Sequence, residues 1–352
     1  MYGVLDALTV YGRESHKMRV RITQLDGKFP NLALMRISAF HKGRGDEVHF
    51  TFSPHRDLFE MDYDRVYASC IFKFNLDRVA TLRTYFPDAI VGGSAVENYD
   101  LTQIGRRAQL TVEDALGTPA TEMDYSLHPT FKASLGFTQR GCRLKCGFCG
   151  VPGKEGLNHS VGTIADIWRG EGHQKKLHLL DNDFFGQPKE QWRARVEEIR
   201  AGGFRVCLNQ GINIRFIDDE SAEALASLEY RDDQFQRRRL YTAWDNPKQE
   251  QLFFDGVDRL ERYGIPPTNL MTFMLIGYWP DETWDRIWHR FNRMVERGIR
   301  PYPMVYDRSR TDLLCFQRWV VRGLYRIVKW DEYRRSTKSV ECSEAYARAL
   351  AA

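Results

Sequence analysis

The sequence has no run approaching the roughly 18 consecutive apolar residues that a membrane-spanning helix requires. Its amino-terminal MYGVLDALTVYGRESHKMRV holds no apolar stretch of signal-peptide length. These absences argue against the membrane and secretory classes and predict a soluble, cytoplasmic chain with no membrane partner. Cysteine is sparse, with seven residues, an odd number, in a chain that lacks a secretory signal. A disulfide framework is therefore not expected, and free thiols or metal ligation are the better uses. Lysine is scarce as well, 13 residues against 38 arginines. Arginine makes planar two-point contacts with phosphate and carboxylate, although the same imbalance arises in a genome rich in G and C. The net charge of +4 is too mild to define a partner. Arg237-Arg238-Arg239 and Arg334-Arg335 keep a nucleic-acid partner open, but neither cluster has the interleaved aromatics of a specific nucleic-acid motif.

What is present points to two domains, since 352 residues at 43% hydrophobic composition can build two cores. Residues 17–93 alternate strand-like and helix-like periods. MRVRITQLD suits a strand, and NLALMRISAFHKGRG suits a helix with Pro30 before it and Gly43 and Gly45 as stops. VHFTFS, DRVYASCIF, a helical LDRVATLRTYF and DAIVGGSA follow. This order predicts an open, Rossmann-like, largely parallel sheet. From 94 to about 130 no period is sustained, and Gly117, Pro119 and Pro129 mark a connection. Six strand-like runs come next, SLGFTQR, KLHLLDND, FRVCLNQG, RLYTAWDN, NLMTFMLIGY and PYPMVYD, with helical stretches between most of them. Serial β/α units predict a (β/α)6 partial TIM barrel whose active site lies at the carboxyl ends of its strands. The expected division is 1–125 for the first domain and connection, 126–310 for the barrel, and 311–352 for a helical extension.

Directly after the first barrel strand the chain reads RGCRLKCGFCGVPGKEG, which spaces Cys142-x3-Cys146-x2-Cys149 on one loop. Three thiolates can hold three irons of a cubane cluster and leave the fourth iron open to a ligand. The competing use is a structural zinc site, with His159 completing a Cys3His set. Position favours the cluster, because catalytic loops belong at a barrel mouth. Cys70 and Cys207 sit inside apolar runs and read as core thiols. No second Cys-x-x-Cys is offered by Cys70, Cys207, Cys315 and Cys342, so an auxiliary cluster is not expected.

The loop, with Phe148 just before its last cysteine, resembles the cluster loop of the radical S-adenosylmethionine superfamily. LLDNDFFG resembles the stretch where members bind the cofactor's amino group, which puts forward Asp181, Asn182 and Asp183. NQGINIRFIDDE is similar to the family's polar segment for the carboxylate and ribose, which nominates Asn213 and Arg215. IGYWPDET is similar to a common Gly-x-Pro-x-Glu-Thr ending, with Trp279 intruding. Asp245, in AWDN, is a further cofactor-site candidate. The resemblance implies that Cys142, Cys146 and Cys149 hold a [4Fe-4S] cluster, that its open iron chelates S-adenosyl-L-methionine, and that Phe148 lies near the adenine. It also implies that an electron from reduced flavodoxin or ferredoxin breaks the sulfur–carbon bond. The 5′-deoxyadenosyl radical so formed then abstracts a substrate hydrogen.

Each nomination has a plainer competitor. Asp181 and Asp183 suit helix caps, Arg215 suits a surface ion pair with Asp218 or Asp219, and Asp245 suits a turn. The first domain resembles the cobalamin-binding domain of one branch of the superfamily, through PNLALMRISAFHKGRGDEV, YDRVYASCIF and IVGGSAVENY. The cobalt-ligating Asp-x-His-x-x-Gly motif is absent, so cobalamin is not expected and a scaffold role is. Three functions stay open. One is a radical enzyme acting on a nucleobase or nucleoside, as in nucleic-acid modification, with Trp244, Tyr278, Trp279 and Tyr306 to stack on a base. The second is a radical enzyme acting on a peptide or small metabolite, and the third is a non-catalytic metal-binding or redox-sensing protein.

Overall fold

The computed structural model describes residues 17–96 and 110–333 of a mixed α/β chain built on parallel sheets. Arg334, Arg335 and Cys342 lie outside the described residues. The chain divides into two units, Met1–Phe131 and Lys132–Ala352. In the first, strand β1 (Arg19–Gln24) is buried on both faces, as a central parallel strand is. Val20 and Ile22 are fully buried, and the alternate residue Arg21 is only 1% exposed. Its guanidinium is compensated by Glu60, 2.8 Å away, and by the Phe86 ring, whose centre lies 4.5 Å off. Helix α1 (Leu32–Gly43) starts where the Asn31 side chain accepts the Leu34 N–H at 3.2 Å, a cap worth about 1 kcal/mol. Then come β2 (Glu47–Thr51), β3 (Arg65–Ser69), α2 (Leu76–Tyr85) and β4 (Ile90–Gly92). All four strands are parallel in the order β2-β1-β3-β4. The expected connection contains a short helix, α3 (Val112–Leu116), nucleated by a reciprocal cap between Thr111 and Asp114. Five residues are too few to reveal a period, which is why the sequence pattern misses it.

In the second unit the run SLGFTQR breaks in two. β5 (Ser134–Gly136) belongs to a parallel sheet, whereas β6 (Gln139–Arg140) turns away to pair antiparallel with residues 159 and 160. The break falls where the Thr138 and Gln139 N–H groups bond the Asp181 carboxylate instead of a neighbouring strand. There follow α4 (Val151–Glu155), β7 (His159–Ser160), α5 (Ile164–Ile167), β8 (Lys176–Leu179), α6 (Lys189–Ala201) and β9 (Arg205–Leu208). After them come α7 (Asp219–Ala226), β10 (Glu229–Tyr230), β11 (Leu240–Ala243), α8 (Glu250–Arg262), β12 (Leu270–Ile276), α9 (Trp284–Glu296), β13 (Arg300–Val305) and α10 (Thr311–Val321). Strands β10-β9-β8-β5 form one parallel sheet and β11-β12-β13 another. The Ile212 N–H donates to the Tyr241 carbonyl at 2.8 Å and so joins the end of β9 to β11.

Residues 311–333 belong to the core of this unit. Leu313, Phe316, Trp319 and Val320 are buried with Trp284, Phe291 and Met294 of α9. Their rings interlock edge to face, with Trp288–Phe316 centres 5.2 Å apart and Trp319–Trp330 centres 5.5 Å apart. Cys315 on α10 is disulfide-bonded, a departure from the expected all-thiol chain, whereas the other described cysteines are free. Among the described residues no helix is long and apolar enough to cross a membrane.

Candidate functional site

The hairpin of β6 and β7 closes a loop over residues 141–158 that carries the three cysteines. Gly141 opens it at φ 75°, and a Cβ there would stand 2.2 Å from the Leu157 carbonyl oxygen, so only glycine fits. Glu155 secures the loop from its other end. Its carboxylate accepts Arg140 Nη2 at 2.8 Å, the Gly141 N–H at 3.1 Å and Asn182 Nδ2 at 2.8 Å. Within the loop the Cys142 N–H donates to the Gly156 carbonyl at 3.2 Å, and the Cys149 N–H to the Cys146 carbonyl at 3.0 Å.

All three loop cysteines are free thiols, with Cys142 and Cys146 half-buried and Cys149 exposed. Burial pushes the Cys142 thiol up, the Leu144 N–H at 3.4 Å from its Sγ opposes that, and the charges of Asp183, Cys146 and Cys149 add to it. Burial also raises the Cys146 thiol, which Arg215 counters by its charge and a hydrogen bond. The three sulfurs therefore share one electrostatic environment. Among the described residues no three His, Cys, Asp or Glu side chains converge on a point that would hold a single ion. His159, the fourth ligand of the competing zinc reading, has its Nδ1 at 2.9 Å from the Leu157 carbonyl oxygen. Cys70 and Cys207 are fully buried, and burial raises both thiols, Cys70 to about 11.

The turn after β8 meets the base of this loop. Asp181 is buried and accepts the Thr138 N–H at 2.7 Å, the Gln139 N–H at 3.2 Å and the Thr138 hydroxyl. Burial pushes its carboxyl up to about 6 against those bonds. Asp183 is buried too and receives both Arg143 Nε at 2.7 Å and Nη2 at 3.0 Å. Its backbone N–H is taken by Gln139 at 2.9 Å. Neither carboxylate caps the helical turn at Phe184–Gly186, which has no side-chain cap. Asn182 lies between them, half-buried.

Arg215 does not pair with Asp218 or Asp219. Asp218 caps α7, and Asp219 faces Arg259 and Arg262. Arg215 instead reaches Cys146, Gln249 and Asn213, the last at 3.3 Å. Asp245 ties β11 to β12 by accepting the Leu275 N–H at 2.9 Å. Burial raises its carboxyl, and its charge reaches Cys146. Phe148 packs edge to face on Tyr278 at 5.3 Å, and the Tyr278 hydroxyl sits 2.7 Å from where a Gly147 Cβ would stand. The loop after β12 is anchored by Glu282, which accepts the Gly277 N–H at 2.5 Å and pairs with the wholly buried Arg290. Arg290 in turn donates to the carbonyls of Trp244 and Asp245.

The structure thus brings Cys142, Cys146, Cys149, Phe148, Asp183, Arg215 and Asp245 into one electrostatic and packing neighbourhood, with Asp181, Asn182 and Asn213 tied to its edge. Trp244, nominated as a stacking surface, is instead a core residue at 2% exposure, stacked on Phe253 at 5.1 Å. Sequence reasoning missed Arg143, Glu155 and the Glu282–Arg290 pair, and it nominated Tyr278 as a stacking surface without its packing on Phe148. The first two lie in and just after the cysteine motif, among other loop charges such as Lys145 and Lys154, and nothing in the sequence marks their partners. No protein-family model matches the chain, and no curated protein matches it.

Proposed function

We propose that the chain is a radical S-adenosylmethionine enzyme, a Rossmann-like sheet followed by a (β/α)6 partial TIM barrel, with a [4Fe-4S] cluster on Cys142, Cys146 and Cys149. One observation carries this reading. Three free thiols lie on a single loop after β5, with Arg215 hydrogen-bonded to Cys146 and Asp183 holding Arg143 of the loop. The parallel strands β5, β8, β9, β11, β12 and β13, joined between β9 and β11 by the Ile212–Tyr241 bond, support the barrel.

Cys142, Cys146 and Cys149 would hold the cluster, which would supply one-electron reduction of S-adenosylmethionine to methionine and a 5′-deoxyadenosyl radical, the electron coming from the external donor. The chain's own residues prepare that site. Arg215 offsets the negative charge of the thiolate set, and the Leu144 N–H bonds the Cys142 sulfur, both of which favour thiolate over thiol. Phe148, edge to face on Tyr278, gives the loop an aromatic wall beside Cys149. Asp181 and Asp183 are committed to protein donors, so the half-buried Asn182 is the member of that trio assigned to the cofactor's amino group. Asn213 and Arg215 are assigned to its carboxylate and ribose. Reduced flavodoxin or ferredoxin is the assigned electron donor.

The test is anaerobic reconstitution with iron and sulfide, followed by dithionite and S-adenosylmethionine. About four irons per chain, with release of 5′-deoxyadenosine, is the expected result. Tight zinc with no cleavage of the cofactor overturns it in favour of a structural metal protein.

A further inference from the structure

A cavity of about 350 Å³ opens where α8 and α9 begin, at the carboxyl ends of β11 and β12. Asn246, Pro247, Lys248, Trp279, Asp281 and Arg286 line it. The volume is at the small end for organic ligands. One wall is a flat indole held in place: Trp279 donates its ring N–H to the Asp245 carbonyl at 2.9 Å and packs edge to face on Tyr278 at 5.1 Å. The lining also carries two cations and one carboxylate. Arg286 donates to the Asp281 backbone carbonyl at 3.0 Å and pairs with the Asp281 side chain, which offsets part of its charge. Lys248 is exposed and forms no ion pair among the described residues, though its charge reaches Asp281. Two cations against one carboxylate leave the lining positive by one.

We propose that this cavity is a subsite for one nucleotide unit of the substrate, with the base against the Trp279 ring and the phosphate at Lys248 and Arg286. A fixed aromatic wall beside an uncompensated cation selects a ligand that is flat and apolar at one end and anionic at the other. A nucleoside monophosphate has that form. Base stacking on an aromatic wall is tolerant of base identity, whereas the cation reads the phosphate. The inference rests on the proposed function for the statement that the nucleotide is the substrate. Binding itself does not depend on the cluster.

The probe is thymidine 5′-monophosphate, whose pyrimidine keeps it distinct from the adenosine half of S-adenosylmethionine. It is titrated calorimetrically into the full chain without cluster, beside thymidine and inorganic phosphate. Binding of the monophosphate is expected to exceed that of either fragment and to weaken about tenfold in W279A. K248Q weakens the monophosphate to a similar extent and leaves thymidine unaffected. W279F, which keeps a ring, retains binding within about threefold and guards against misfolding of the alanine variant. Three results overturn the subsite: no saturable binding, equal affinity for inorganic phosphate and the monophosphate, or indifference to both K248Q and W279A. If saturable, variant-sensitive binding occurs in a protein that fails to cleave S-adenosylmethionine, the subsite stands and the radical reading falls.

Discussion

Arg143 and Asp183 form a two-point ion pair, with Nε–Oδ2 at 2.7 Å and Nη2–Oδ1 at 3.0 Å, that bolts the cysteine loop to the turn after β8. Asp183 is 1% exposed and Arg143 about one-third exposed. Asp183→Ala removes both bonds but leaves the exposed Arg143 guanidinium to water, and is expected to cost about 1–3 kcal/mol. Urea unfolding measures that cost, and iron content after reconstitution should fall with it. Full iron loading in D183A would show that the pair does not organise the loop.

Gly141→Ala places a methyl group against the Leu157 carbonyl at a positive φ. A cost above the ~1–3 kcal/mol of the backbone conformation alone follows, together with loss of iron binding. Gly172→Ala is the matched control, because its φ of 85° is similar but nothing lies within 4 Å of the added carbon. It should lower the melting temperature and leave iron loading intact. Equal iron loss in both variants contradicts the steric account.

The cysteines separate by role. Alanine at Cys142, Cys146 or Cys149 should abolish the brown chromophore of the reconstituted protein, the outcome that the proposed cluster ligation requires. Alanine at the buried Cys70 or Cys207 should keep it, at a stability cost of about 1 kcal/mol for the lost packing. Retention of full iron by C149A would exclude it as a ligand.

Glu282 and Arg290 are 2% and 0% exposed in their side chains. Arg290→Met alone strands the carboxylate and is expected to destabilise by about 3–5 kcal/mol. The double change of Arg290→Met with Glu282→Leu should recover part of that loss, because an apolar pair carries no desolvation cost. A double variant no more stable than the single would mean that the backbone bonds of these residues matter more than their charges.

Asp124 provides a test by pH. Burial pushes its carboxyl up, but Lys42, Ser126 and Ser38 outweigh burial and hold it at about 2, below the ordinary 3.8. A depressed carboxyl stabilises the fold above its unfolded value, and that share is lost as pH falls through the folded one. The gap between the native protein and Asp124→Asn should therefore be on the order of 1 kcal/mol after solvent screening at neutral pH. It should close between about pH 4 and pH 2. A gap that widens on acidification has the wrong sign for this account.

The strand runs KLHLL and RVCL announce β8 and β9 because a central parallel strand buries both faces and so reads as continuous apolar sequence. The cysteine triad announces itself by spacing. Pairing across the chain was not legible. Arg143 and Glu155 read as ordinary loop charges, since their partners Asp183 and Asn182 lie 40 and 27 residues further on. Asp181 looked available for a ligand, yet the fold uses its oxygens to turn the chain between β5 and β6. Trp244 looked like a surface at a strand end, and tertiary packing against Phe253 overrode that position.

The helix after the last strand has a practical consequence. Trp319 and Phe316 of α10 fill the same aromatic cluster as Trp284 and Phe291 of α9. A protein shortened to end at Asp307 would uncover that surface, and apolar area of this kind drives self-association. Anyone preparing the cysteine-bearing unit in isolation should carry the chain at least through Tyr333, or expect inclusion bodies in place of soluble material.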